Sequence, residues 1–417
     1  MTRPGDTLFW LAAASFASMA SMRICDPMLP ALAGDFGVAA AGASGVVTLY
    51  AIGYGISQLA HGPLGDRFGK ARYIAGAALA AALASVLCAL APGLPALEMA
   101  RLLTGAIAAA IIPLSMAWVG DTVPYGQRQA SLARFLNGTI LGAILGQAMG
   151  GLLADTVGWR AAFLILAAIF AVSGWKLLAV VRAGDSARAG GAHSDGAHSD
   201  ADADAGASAA ADAATRAAGP APRLIARYGI VLRSGWARVI LALVAVEGLL
   251  AFGALAFVPT SLHERTGMPV WLAGATVAAF GIGGLAYTAN AARLVARLGE
   301  AGLALAGGAL MAGGFALLAA APGTGAIACI LLGLGYHMLH NTLQTHATQM
   351  APTVRGTGVA LFAMCLFIGQ SAGVTLAAEV ALTAGFVPVF AFAGAGVLAT
   401  GAAFALLLQR RVGAKIE

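Results

Sequence analysis

The chain has 417 residues, of which 60% are hydrophobic and only 10% charged; soluble domains run to about 25% charged, so an ordinary soluble protein is excluded. The formal net charge of +6 comes from basic residues dispersed among helix ends, which fits membrane topology better than a nucleic-acid surface. The 56 glycines suit helices packed in lipid through small residues.

A helix needs about 20 apolar residues to cross a bilayer. Twelve such stretches occur, at 8–32, 43–62, 73–92, 96–119, 131–154, 161–182, 239–262, 270–292, 302–322, 325–349, 357–380 and 386–408. The first is too long for a cleavable signal peptide and runs on through Arg23 and Asp26. Most links are short and broken by Pro or Gly, as at Pro92-Gly93, Pro124, Gly158, Pro322-Gly323 and Gly385. Residues 183–237 differ, being rich in Ala, Asp, Ser, Gly and His, with Gly-Ala-His-Ser-Asp repeated at 191–195 and 196–200. Such a tract buries no core and is expected to be a disordered linker between six-helix bundles at 1–182 and 238–417. His193 and His198 with Asp195, Asp200, Asp202 and Asp204 carry metal-ligand atoms, but a solvated linker explains them more simply. Cys25, Cys88, Cys329 and Cys365 lie in apolar spans without metal-ligand spacing and read as small buried hydrophobes.

Orientation follows from Lys and Arg. With the N-terminus inside, one face holds Arg3, Arg67, Lys70, Arg72, Arg128, Arg182, Arg293, Arg297, Arg355, Arg410, Arg411 and Lys415, whereas the opposite loops hold only Arg160 and Arg265. Both termini and the linker are therefore expected in the cytoplasm. The fifth and eleventh spans share a pattern. Gly146-Gln147-Ala148-Met149-Gly150, then Gly158-Trp159 and Phe163, is matched by Gly369-Gln370-Ser371-Ala372-Gly373, then Gly385-Phe386 and Phe390. Two parallel repeats are implied.

Ionisable groups inside spans are few and costly. Glu247 lies about 13 Å into span 7 at 1.5 Å per residue, near mid-membrane, and is either a proton-coupling carboxyl or a structural hydrogen bond between helices. Arg23 and Asp26, three residues apart before Pro27 and Pro30, form either a proton-linked or gating cluster with Arg101 of span 4 or a simple ion pair. Asp121 is placed to pair with Arg67 or Arg72. Span 5 carries Gly142, Gly146, Gly150 and Gly151, a bare face for close helix approach, with Gln147 among them. His337, Asn341 and Gln344 in span 10, and Tyr50, Tyr54 and Gln58 in span 2, form polar stripes that either line a cavity or join helices; His340 and His346 lie in span 10 as well. The chain has no Walker loop, Rossmann fingerprint or metalloprotease helix, so energy for any work would come from an ion gradient or from the substrate's own.

Between spans 2 and 3 stands Gly62-Pro63-Leu64-Gly65-Asp66-Arg67-Phe68-Gly69-Lys70-Ala71-Arg72. This stretch resembles the signature loop of the major facilitator superfamily, and after span 8 Arg293, Arg297 and Gly299 resemble a worn copy in which Ala296 replaces the aspartate. Leu97, Arg101, Thr104 and Gly105 resemble the superfamily's second signature, whose arginine is associated with proton movement. Gly142 through Gly151 resembles the antiporter signature of its drug–proton exchangers, departing from it at Gln147, where proline is usual. The resemblance covers nearly the whole chain apart from the linker. It implies an all-α membrane fold of twelve helices in two six-helix bundles, rocking around a central site. It implies a transporter rather than an enzyme, with a small-molecule substrate, protons and the bilayer as partners. No cofactor, metal or nucleic acid is expected; the protein is expected as a monomer in a bacterial inner membrane. The expected function is proton-coupled export of drugs or metabolites. Uptake by symport or facilitation is the alternative; a membrane sensor is disfavoured because the linker holds no folded signalling domain.

Overall fold

The computed structural model describes residues 4–191 and 224–413. Among the described residues there is no β-strand, and ten helices are long and apolar enough to cross a membrane. In the first half the helices are α1 (Pro4–Arg23), α2 (Leu29–Phe36), α3 (Gly45–Phe68), α4 (Lys70–Ala89), α5 (Leu94–Ala108), α6 (Ile111–Thr122), α7 (Tyr125–Thr156) and α8 (Trp159–Gly191). The second half has α9 (Leu224–Arg233), α10 (Gly235–Glu247), a π-helical turn Gly248–Phe252, α11 (Gly253–Leu255), α12 (Val258–Thr266), α13 (Val270–Ala320), α14 (Gly325–Gln349), α15 (Arg355–Ala384) and α16 (Phe386–Gly413).

Several of these spans are broken, and each break has a local cause. Pro27 and Pro30 interrupt the first span between α1 and α2, because proline brings no N–H and clashes with the preceding turn; α2 ends at Gly37, whose φ of 67° is easy only for glycine. Pro113 likewise leaves the carbonyl of Ala109 without its helical donor, where α5 gives way to α6. Helix α13 is 51 residues long but contains Gly299 at φ 63° and ψ 178°. It is therefore two spans, and with α1–α2 counted as one span the described residues hold twelve span-length segments.

Two sequence boundaries shift. The signature stretch is mostly helix: α3 runs on to Phe68, α4 starts at Lys70, and Gly69 at φ 83° makes the whole turn. Gly299, its counterpart after span 8, adopts the same left-handed sign, and so do Gly158 and Gly385, the paired glycines of the internal repeat. Both ends of the expected 183–237 linker are helical. Residues 183–191 continue α8, and α9 begins at Leu224; residues 192–223, with the metal-ligand candidates His193, His198, Asp195, Asp200, Asp202 and Asp204, lie outside the described residues.

The glycine-lined face of span 5 does what its spacing implies. A Cβ at Gly138, Gly142, Gly146 or Gly150 would fall on the backbone of Ala12, Phe16, Ala20 or Ile24 in turn. Each four-residue step of α7 thus meets a four-residue step of the first span, so the two run in fixed register at backbone contact. The second half repeats the device, with Gly369 against Ala245 and Gly373 against Leu249. Between the halves, Gly151 packs on the backbone of Val270 and Trp271, while Gly274 packs on the carbonyl of Gln147. Helix α3 packs on α15, where the Ser371 hydroxyl donates to the Thr48 carbonyl at 3.2 Å.

Candidate functional site

Arg23, Asp26, Arg101 and Glu247 are all buried, the last three with no exposed surface. Lone charges there would cost several kcal/mol, so the partners of each decide its role. Asp26 Oδ2 accepts the Gln147 amide at 2.9 Å and lies 3.7 Å from Arg23 Nη1. Gln147 stands where the antiporter-like pattern lacks its proline, and its side chain fixes the carboxylate across the glycine-packed interface. Asp26 sits in the turn that Pro27 opens, where the chain leaves α1 and the side chain reaches α7.

Arg101 makes its hydrogen bonds elsewhere. Its Nε donates to the Val46 carbonyl at 3.1 Å and its Nη1 to the Ser21 hydroxyl at 3.3 Å, with the guanidinium 4.0 Å above the Tyr50 ring. Arg101 ties spans 1, 2 and 4 together through a carbonyl, a hydroxyl and a ring face, a geometry suited to a planar guanidinium, and its charge still acts on Asp26 without a direct bond.

Glu247 ends α10, one residue before the π-helical turn. Its Oε2 takes the Nδ1 hydrogen bond of His340 in α14 at 2.7 Å. A π-turn inserts an extra residue into the helix and often marks a functional site. Here it carries Phe252, and Arg23 of the first half lies 4.2 Å over that ring. Phe252 meets Tyr336 edge-on with centroids 4.9 Å apart, and Tyr336 stacks on His340 at 4.8 Å. The two carboxyls that the sequence offered as rivals are thus the ends of one contact chain, Asp26–Arg23–Phe252–Tyr336–His340–Glu247, which crosses from one half to the other. One oxygen of each carboxyl, Asp26 Oδ1 and Glu247 Oε1, has no hydrogen-bond partner, and neither has the amide oxygen of Gln147 or Gln370.

His340 is the member that sequence reasoning passed over, since the polar stripe was drawn through His337, Asn341 and Gln344. His337 turns back to the Gly333 carbonyl at 2.7 Å and lies against Gly284, so it joins helices. Asn341 is half-buried and Gln344 exposed. In the span-2 stripe, Tyr50 donates its hydroxyl to the Ser18 carbonyl at 3.2 Å and Gln58 is buried. The Tyr54 ring crosses to the second half, 4.6 Å from Phe367.

At the signature stretch, Asp121 pairs with Lys70 at 2.7 Å rather than with Arg67 or Arg72, as expected from sequence, and Lys70 also holds Asp66 at 2.9 Å. Lys70, the first residue of α4 after the Gly69 turn, thus bridges Asp66 at the end of α3 and Asp121 at the end of α6. Arg67 lies over the Phe68 ring, Gly65 abuts the Leu114 side chain, and space beside Gly62 is open. The Asp66 carboxylate is 68% exposed, where ion pairs contribute about 0–1 kcal/mol. Asp66→Asn should therefore leave the protein folded and inserted, while slowing turnover about two- to fivefold. Transport by the purified variant checks this, and a wild-type rate would show that Lys70–Asp121 suffices.

Among the described residues no group of three His, Cys, Asp or Glu side chains is arranged to hold a metal. Among the described residues, twelve span-length segments packed through glycines, with buried charges joined across the two halves, mark a multi-pass membrane protein. Residues 11–374 match the family model of the Major Facilitator Superfamily, and the chain belongs to that superfamily. It is 30% identical over 175 residues to the fatty acid resistance protein FarB of Neisseria gonorrhoeae, covering 41% of this chain and 34% of the relative. It is 29% identical over 171 residues to the multidrug export protein EmrB of Haemophilus influenzae, covering 40% and 34%. Each match thus spans about a third of the relative's length. The fold is similar to that of a D-xylose-proton symporter, with TM-score 0.70, 15% identity and 96% of both chains covered. The nucleoside transporter NupG gives TM-score 0.72 at 12% identity, covering 95% of this chain and 98% of that one.

Proposed function

We propose that the protein is a proton-coupled exporter of small amphipathic molecules in a bacterial inner membrane, working by alternating access of its two halves. The observation that carries this reading is the contact chain from Asp26 to Glu247. Carboxyls buried in a membrane protein are kept for a function by default. These two are joined through Arg23 and an aromatic path that lies across the surface where the halves must move. A change of charge at Glu247 alters what His340 holds, and His340 stacks on Tyr336 against Phe252, on which Arg23 rests. A proton and a rocking motion are thereby connected by contact.

Export as the direction is supported by the relatives, two of which are named for fatty acid resistance and multidrug export. The symporter similarity, at 15% identity, concerns the fold alone. Basic residues on the face of the signature turn, Arg67, Lys70, Arg72, Arg293, Arg297, Arg410 and Arg411 among them, support placing that face and both termini in the cytoplasm. Purified protein in liposomes under an imposed pH gradient tests the reading, with an amphipathic fluorescent cation as probe. Uphill movement out of the compartment on the signature-turn face supports it; movement indifferent to the gradient, or uphill in the opposite sense, overturns it.

A further inference from the structure

Pro63 lies inside α3. A proline brings no N–H, so the carbonyl four residues earlier, that of Leu59, has no helical donor. An orphaned carbonyl in a membrane span is costly and must find a donor elsewhere. Here the donor comes from the other half of the molecule. The Tyr228 hydroxyl donates to the Leu59 carbonyl at 3.0 Å.

Tyr228 stands on α9, the ten-residue helix that leads into α10. Val231 of α9 is fully buried, whereas Ile230 and Leu232 are 40% and 46% exposed, so α9 is anchored to the fold on one side only. Helix α9 also packs on α15 and on the turn Pro352–Val354, so it belongs to the second half. Its hydroxyl therefore reaches across to the first half on the face where α3 turns into α4. Ser234, whose hydroxyl oxygen accepts the Ala237 N–H at 3.3 Å, caps α10 directly behind it. Helix α9 is thus joined directly, through Ser234, to the helix that ends in Glu247.

We propose that Tyr228 is a gating residue: its hydrogen bond to the carbonyl freed by Pro63 latches the two halves together on the signature-turn face. When that face opens, water replaces the phenol at Leu59 and the latch is released. The inference rests on the alternating-access reading given above and adds to it the residue pair that biases the two states.

The test uses the full chain in nanodiscs, with spin labels at Gln127→Cys and Arg297→Cys, both exposed positions on that face, and with half-buried Cys365 replaced by Ser. Distances are measured at two pH values. The wild type should show a short and a long distance. Tyr228→Phe, which keeps the ring and removes only the hydroxyl, should raise the share of the long one about two- to tenfold, the range for a single hydrogen bond. Pro63→Ala returns an N–H to the Leu59 carbonyl, so in that background Tyr228→Phe should shift the balance by less than half as much. A structural role for Tyr228 would not depend on residue 63 in this way. Two switching states indifferent to Tyr228→Phe, or an equal shift in both backgrounds, would overturn the latch alone. A wild-type distance that never changes would overturn alternating access and the latch with it.

Discussion

Glu247→Gln is expected to cut accumulation driven by a pH gradient sharply while leaving substrate binding intact. The glutamine keeps the shape of the side chain and still accepts the His340 hydrogen bond that now spans 2.7 Å. Its amide mimics the protonated acid and removes only the cycle of charge. Coupling free energies between two ligands of one protein are about 1–3 kcal/mol, so gradient-driven accumulation should fall about 5- to 150-fold. Exchange of substrate for substrate needs no net proton movement and should continue. If Glu247 is only a structural bond between α10 and α14, the amide serves as well and driven transport survives. Asp26→Asn is the matching control, because Asp26 holds the other end of the contact chain through Arg23. Driven transport that persists in Glu247→Gln but fails in Asp26→Asn moves the coupling role to span 1. Failure in both, with the double variant no worse than either, is the outcome for a single connected unit.

Much of this was legible in the chain because membranes limit the choices. Twelve apolar stretches, glycines at four-residue steps and a carboxyl at mid-membrane each have few meanings in lipid. What was not legible depended on helix phase and on neighbours. The signature stretch has the glycines and charges of a loop, yet the helix continues through Phe68. Asp121 meets Lys70, the first residue after the Gly69 turn, instead of an arginine. His340 was hidden for the same kind of reason. Span 10 carries several histidines, and which of them meets Glu247 depends on how α14 is rotated against α10, a property of neither helix alone. Helix α9 was lost in composition. Ten residues with arginines at 227 and 233 follow a tract of Ala, Asp and Ser, and so short a segment carries too few turns to show a period. Its meaning emerges only beside Pro63, in the opposite half of the sequence.

Gly142→Ala, a single methyl group added to the glycine-lined face of α7, is expected to lower stability clearly. The new Cβ would fall on the carbonyl and Cα of Phe16, and backbone cannot rotate aside as a side chain can. The two helices must move apart, and the neighbouring close contacts at Gly138 and Gly146 loosen with them. Overpacking costs about 1–3 kcal/mol, and a backbone obstacle puts this case at the upper end, with Gly142→Val beyond it. Gly76→Ala is the control, since nothing lies within 4 Å of its added Cβ and alanine is the better helix former by up to about 1 kcal/mol. Thermal unfolding in detergent should therefore show a Tm several degrees lower for Gly142→Ala and unchanged or higher for Gly76→Ala. Equal values would mean that the register of α7 against the first span is loose. The consequence for transport follows from position. Gln147 sits between Gly146 and Gly150 on the same helix and holds Asp26 at 2.9 Å, so a displaced α7 carries that amide away from the carboxylate. Where Gly142→Ala still folds, it should weaken gradient-driven transport together with Tm, and Gly76→Ala should weaken neither.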